Sequence, residues 1–150
     1  MEESQTVRLS FAAGGTETVY VTRLTPNCFR LRVTPVLGAD ADGDIYLGDV
    51  IEVELEPDGA YRFVRVVERA PLHHYSWIVP EFFVESAQYG QYGAAVEAAG
   101  GAWEGLMGCL LLVHMPTTST FDVEAELDRR IAAAMHTPPK RWWEFWKPDA

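Results

Sequence analysis

The chain has 150 residues, nearly half of them apolar, and a formal net charge of −10. A chain of that length buries enough surface to form a core without metals or disulfides, while the excess of carboxylates argues against a nucleic-acid backbone as partner, which needs clustered Lys and Arg. No apolar run approaches the roughly 20 residues that cross a bilayer as a helix.

Residues 6–11 alternate, with Val7, Leu9 and Phe11 against Arg8 and Ser10, and stop at Ala12-Ala13-Gly14-Gly15. Residues 17–24 alternate again about Val19 and Val21, so the two segments predict a hairpin. Residues 28–36 set Phe29, Leu31 and Val33 against Arg30, Arg32 and Thr34, and Pro35, which cannot donate to a ladder, marks the edge or end of that strand. Residues 38–44 carry Asp40, Asp42 and Asp44 at the alternation of calcium-loop ligands. An EF-hand would need glycine where Ile45 stands and glutamate where Ile51 stands, so the segment reads as a solvated turn.

Residues 45–68 hold the clearest local signal. Val50, Glu52, Glu54 and Glu56 share one parity and Ile51, Val53 and Leu55 the other, which predicts a half-buried strand. Pro57-Asp58-Gly59 turns the chain into a second strand, where Tyr61, Phe63 and Val67 oppose Arg62 and Arg65. Across this hairpin Glu52, Glu54 and Glu56 are expected to pair with Arg62 and Arg65. Beyond Ala70-Pro71, residues 74–84 read as an extended aromatic segment broken at Pro80.

The period changes at Ser86, the predicted cap of a helix in which Tyr89, Tyr92, Val96 and Ala99 recur at helical spacing until Gly100-Gly101. Gly90 and Gly93 should each cost that helix up to about 1 kcal/mol. Residues 103–115 form a glycine-punctuated run ending in CLLLVHM, apolar on both parities as a central strand would be. Residues 121–135 carry the stripe Val123, Leu127, Ile131 and Met135 and a Glu126–Arg130 pair at i,i+4, the strongest helix signature in the chain. Together these elements predict one α+β domain over residues 1–137, a curved antiparallel N-terminal sheet of about five strands packed with a C-terminal β-α-β-α half. Its single core should hold Phe29, Leu31, Val33, Ile51, Val53, Leu55, Phe63, Leu111, Val113, Leu127 and Ile131, and residues 138–150 form a Pro/Trp-rich tail.

Several short stretches, residues 19–24, 29–35 and 63–67, the step Gly48-Asp49-Val50-Ile51, Gly100-Gly101 with Glu104, and Val113-His114-Met115-Pro116, carry a resemblance over residues 5–135. On them the chain resembles the bacterial family known as domain of unknown function 4265. The resemblance implies a small α+β domain and assigns no catalytic residue.

Few residues point to chemistry. His73 and His74 are adjacent on an extended segment and point to opposite faces, so they cannot chelate one metal together. His74 or His114 with Glu81 or Glu85 would make a His/Glu group suited to acid–base work or to a metal. No serine lies in a G-x-S-x-G turn, no phosphate loop is present, and no metal or cofactor is expected. Cys28 and Cys109 sit in apolar contexts without a CxxC and read as reduced core residues. The acidic start, Glu2-Glu3, lacks an apolar signal core, so a cytoplasmic protein is expected.

The tail crowds Trp142, Trp143, Phe145 and Trp146 between Lys140, Arg141 and Lys147, a composition typical of interface anchors, while the size of the apolar patch that three exposed tryptophans would make favours a tail that fills a groove on its own domain. The reading is a non-enzymatic bacterial binding protein. Its carboxylates Asp40, Asp42, Asp44, Asp49, Glu52 and Glu54, with Trp142, Trp143 and Trp146, would meet a basic protein partner, as a toxin-neutralising immunity protein does. The alternative is a small hydrolase or metal-dependent enzyme built on the His/Glu group.

Overall fold

The computed structural model describes residues 3–12, 14–37 and 45–136. Its architecture is α+β, with one five-stranded and one three-stranded sheet and three helices. The chain divides into two compact units, Met1–His74 and Tyr75–Ala150. Each carries its own apolar cluster, where the sequence suggests one core.

The first unit is built from β1 (Glu3–Ser10), β2 (Thr16–Thr25), β3 (Cys28–Leu31), β4 (Val50–Leu55) and β5 (Tyr61–Glu68). Neighbours pair antiparallel in chain order. A short parallel contact, Leu9 opposite Tyr61 and Ser10 opposite Arg62, joins β1 to β5 and closes the sheet into a barrel. Closure removes the open edges that a five-stranded sheet would otherwise present. The interior takes Leu9, Val19, Val21, Phe29, Leu31, Ile51, Val53 and Phe63.

Two expectations fail here for one reason. The register of β4 against β5 shifts between Val50 and Ile51 and again between Glu52 and Val53, and each shift disturbs the strict alternation of faces. Val50, predicted on the wet face, is therefore buried together with Ile51. Leu55, predicted in the core, ends β4 at the mouth of the turn and is 63% exposed. In addition β3 stops at Leu31 rather than near residue 36, leaving Val33 only partly buried against the cluster.

In the second unit the chain runs through the end of β6 (Leu72–Ile78), α1 (Glu81–Val84), α2 (Ala87–Ala98), β7 (Ala102–Leu106), β8 (Leu110–Pro116) and α3 (Val123–His136). The sheet order is β6-β8-β7, so the CLLLVHM segment is the central strand, and Leu111, Leu112, Val113, His114 and Met115 are all buried. Residues 103–115 make a hairpin rather than a single run, and the extended segment expected through residue 84 ends at Pro80, giving way to α1. Ser86 does not cap α2 through its side chain. Its hydroxyl instead donates to the Phe83 carbonyl at 2.7 Å, closing the turn behind α1.

Helix α3 buries Val123, Leu127 and Ala134, half-buries Ile131 and exposes Met135. A strict four-residue repeat overshoots each turn by about 40°, so by its fourth member the predicted stripe has rotated off the core and the residue before it faces inward. The Glu126 carboxylate accepts from Arg129 at 2.6 Å and from Arg130 at 2.8 Å. The Arg129 guanidinium, with Arg130 behind it, holds that carboxyl below its usual range. This contribution to stability is full above the unfolded carboxyl value and is lost as pH falls through the lowered folded value.

Gly93 is a packing residue, not merely a weak point of α2. A Cβ there would intrude on the Trp103 indole, whereas one at Gly90 would meet nothing within 4 Å. The two glycines therefore respond oppositely to alanine. Gly90→Ala should raise stability by up to about 1 kcal/mol through helix propensity, and Gly93→Ala should lower it by about 1 to 3 kcal/mol through overpacking. Urea melts of the two variants check this, and equal responses would contradict the packing assignment.

Candidate functional site

The burial pattern at the exit of β6 sets up the candidate site. Val79 and Phe83 are buried in the second apolar cluster and Trp77 packs partly against it. Strand alternation across Trp77-Ile78-Val79 turns Ile78 away from that cluster, and the short helix after Pro80 buries Phe83 while leaving Phe82 outside. Ile78 is 78% exposed and Phe82 44%.

The Val79 N–H donates to the Cys109 carbonyl at 2.9 Å, fixing the β6 exit beside the β7–β8 turn. That turn is Met107-Gly108-Cys109, with φ of +47° at Met107 and +80° at Gly108. A left-handed conformation costs a non-glycine residue roughly 1 to 2 kcal/mol, and Met107 adopts it while leaving its side chain 75% exposed.

Helix α3 is tied to α2 by side-chain bonds. Its Arg130 donates to Gln88 at 3.1 Å and Gln91 at 2.8 Å, and its start accepts a bond from Tyr92 Oη at the Val123 carbonyl, 3.0 Å. Burial pushes the Tyr92 phenol up, keeping it a donor. Helix α3 packs against both α1 and α2 and leaves Met135 exposed. Among the described residues of this unit the most exposed large apolar side chains are Ile78, Phe82, Met107 and Met135; Ile78 and Met107 lie in the two segments that the Val79–Cys109 bond joins, and the carboxylates Glu81 and Glu85, on α1 and just past it, are exposed too. Apolar centres with polar rims are the anatomy of protein-binding patches.

The residues singled out from sequence are distributed differently. Asp49 is 0% exposed and structural: its carboxylate accepts from the backbone N–H of Tyr46 at 3.1 Å, from that of Ala70 at 2.9 Å and from Arg69 Nη1 at 3.1 Å. It cannot serve as an exposed binding carboxylate. Glu52 pairs with Arg65 at 3.1 Å, and Arg62 pairs with Glu54 and, at 3.4 Å, with Glu56, as the hairpin pattern predicted. The supposed acidic face is consequently a ladder of alternating charge. Asp40, Asp42, Asp44, Trp142, Trp143 and Trp146 lie outside the described residues.

The histidines of the His/Glu group have other neighbours in the structure. His74, in the first unit, stacks on Tyr46 with ring centroids 3.8 Å apart. His114 is 0% exposed, and its Nε2 lies 2.7 Å from a Glu104 oxygen, a residue the sequence reading did not consider for this role. Glu81 and Glu85 are exposed on the surface. Among the described residues no group of three or more His, Cys, Asp or Glu could hold a metal.

No family model matches the chain, and no curated protein matches it. A solved structure of a hypothetical protein from Neisseria gonorrhoeae is similar in fold, with a TM-score of 0.52 over 89% of each chain at 18% sequence identity. At that identity the similarity establishes the α+β fold alone.

The Asp49 assignment is tested by stability. Asp49→Ala removes a buried carboxylate that accepts from two backbone donors and from Arg69 and should cost about 3 kcal/mol, while Glu54→Ala, which breaks an exposed pair, should cost under about 1 kcal/mol. Denaturant midpoints for the two variants give the comparison, and a near-neutral Asp49→Ala would overturn the structural role.

Proposed function

We propose that the protein is a non-enzymatic binding module, and that its partner is a basic protein engaging the exposed apolar side chains of the second unit. The carrying observation is the exposure of Ile78, Phe82, Met107 and Met135, of which Ile78, Phe82 and Met135 directly adjoin buried Val79, Phe83 and Ala134 in the chain, with Glu81 and Glu85 exposed close to Ile78 and Phe82 in sequence. Leaving such side chains in water is unfavourable, and Met107 adds backbone strain to that exposure. A partner presenting an apolar anchor flanked by Lys or Arg would satisfy both the apolar side chains and the carboxylates. The net charge of −10 would speed its approach by electrostatic steering that weakens as salt rises.

The toxin-neutralising immunity role fits this chemistry, since an acidic inhibitor of a basic protein needs complementarity and no catalytic group. Membership of the domain of unknown function 4265 family is part of the same proposal. It is supported by the structural use of Gly48-Asp49, where Gly48 holds a φ of +91° that its neighbour's buried carboxylate then locks into place. The free, half-buried thiols of Cys28 and Cys109 support a reducing, cytoplasmic setting.

The 2.7 Å His114–Glu104 contact favours a second reading, an acid–base enzyme. His114 presents no surface to a reactant, so binding is the better account. Loss of a measured hydrolytic activity on His114→Ala, with unchanged stability, would reverse that order.

Affinity capture from the host, with the full chain as bait, tests the binding reading. Ile78→Glu combined with Phe82→Glu should abolish recovery of a basic partner, and Glu52→Lys combined with Glu54→Lys should leave it within a few-fold of wild type. The reverse pattern would return the interface to the barrel. Met107→Gly separates stability from function: it should raise the melting temperature by a few degrees, equivalent to about 1 kcal/mol, and weaken capture.

A further inference from the structure

Arg23 keeps an uncompensated positive charge on an acidic chain. Arg62, Arg65, Arg69, Arg129 and Arg130 each pair with a carboxylate. Arg23, on β2, stands opposite Glu3 in the β1–β2 register, yet among the described residues it forms no ion pair with Glu3 or with any other carboxylate. Its Nη2 donates instead to the Tyr61 hydroxyl at 2.7 Å, and its guanidinium carbon lies 5.6 Å from the centre of the Phe29 ring, against which Tyr61 packs edge-on at 4.9 Å. We propose that Arg23 and Tyr61 form a site for a single carboxylate carried on an aliphatic group, with Leu55 as the apolar contact. The site lies on the barrel, takes a ligand opposite in charge to the basic partner of the second unit, and does not depend on that reading.

The donor set comes first. A guanidinium carries five N–H donors in a planar fork, and Tyr61 takes one of them. Tyr61, having accepted that bond, keeps its own O–H to donate. A carboxylate is an acceptor only, and its two oxygens match the fork. The site is also ordered in advance. Phe29 is fully buried and Tyr61 half-buried against the barrel core, so the groups that hold the exposed Arg23 are themselves fixed, and little side-chain freedom is lost when a ligand binds. The apolar neighbour completes it. Leu55 is directly opposite Tyr61 across the β4–β5 pair, which places both side chains on one face of that ladder. At 63% exposure it is the most exposed large apolar side chain among the described residues of the first unit. The net charge of −10 narrows the ligand, because it repels polyanions at long range while the attraction of one carboxylate to one guanidinium is local. That chemistry occurs at the C-terminus of a peptide ending in an aliphatic residue and in a free aliphatic acid.

Two-dimensional NMR of the full chain, following the Arg23 Nε–H and the Leu55 methyl resonances, tests the site with N-acetyl-leucine, N-acetyl-leucinamide and hexanoate. Both acids should shift the two sets of resonances together and saturably, with a dissociation constant on the order of 1 mM, and the amide should shift neither. Tighter binding of N-acetyl-leucine than of hexanoate assigns the site to peptide C-termini, and the reverse order assigns it to aliphatic acids. Arg23→Gln should weaken both acids about ten-fold or more, and Tyr61→Phe, which keeps the ring and removes only the hydroxyl, about three-fold. Leu55→Ala should weaken both about three-fold and leave acetate unaffected. Arg23 and Leu55 are exposed, so their variants retain the fold, and spectral dispersion checks this for Tyr61→Phe. Binding of the amide as tight as that of the acid, no saturable shift by either acid, or binding that survives Arg23→Gln overturns the proposal.

Discussion

One backbone hydrogen bond, from the Val79 N–H to the Cys109 carbonyl, governs the surface of the second unit. It docks the exit of β6 on the β7–β8 turn and so commits Val79 and, four residues on, Phe83 to the core. Once those two are inward, local geometry sends Ile78 and Phe82 outward. The exposure of Ile78 and Phe82 is therefore a consequence of how this unit's core is filled, and Met107 at the neighbouring turn adds an exposed apolar side chain at the cost of a left-handed backbone.

The distribution of charge reinforces the separation of roles between the units. Residues 1–74 carry twelve carboxylates against seven guanidinium groups, and the rest of the chain ten against five cations, so each half has the same net charge. On the barrel hairpin the charges are spent on one another: Glu52, Glu54 and Glu56 face Arg62 and Arg65, and buried Asp49 is bound by Arg69 and two backbone amides. Such pairs stabilise modestly and leave a weak external field. Among the described residues Glu81 and Glu85 have no comparable ladder beside them, and they flank the apolar residues Ile78 and Phe82 in sequence, a setting in which a charge contributes to partner selection.

The fold was legible in the sequence wherever one period ran undisturbed. The alternations about Val7 and Leu9, about Val19 and Val21 and about Phe29 and Leu31 each became a barrel strand, and the 45–68 hairpin formed with its predicted Glu/Arg pairs. Legibility failed where tertiary contacts interrupt the period. Register shifts in the β4–β5 pair buried Val50 and freed Leu55, the drift of a four-residue repeat exchanged Met135 for Ala134, and the approach of Trp103 turned Gly93 from a liability of α2 into a requirement. The candidate site was the least legible part. Ile78 and Phe82 look like core residues in a run of aromatic and aliphatic neighbours, and only the division of Trp77-Ile78-Val79 and Phe82-Phe83 between two faces reveals them. Met107 left a single trace, an apolar residue directly before the glycine of a short turn.

The central claim is that the exposed apolar side chains of the second unit, and not the acidic barrel hairpin, bind the partner. Hydroxyl-radical footprinting of the full chain, alone and in complex with its captured partner, tests this most directly because methionine and aromatic side chains are the most reactive reporters. Binding is predicted to protect Met107, Phe82 and Met135 strongly and to leave Tyr20 and Tyr61 of the barrel unchanged. Protection of the barrel tyrosines with undiminished oxidation of Met107 would contradict the account.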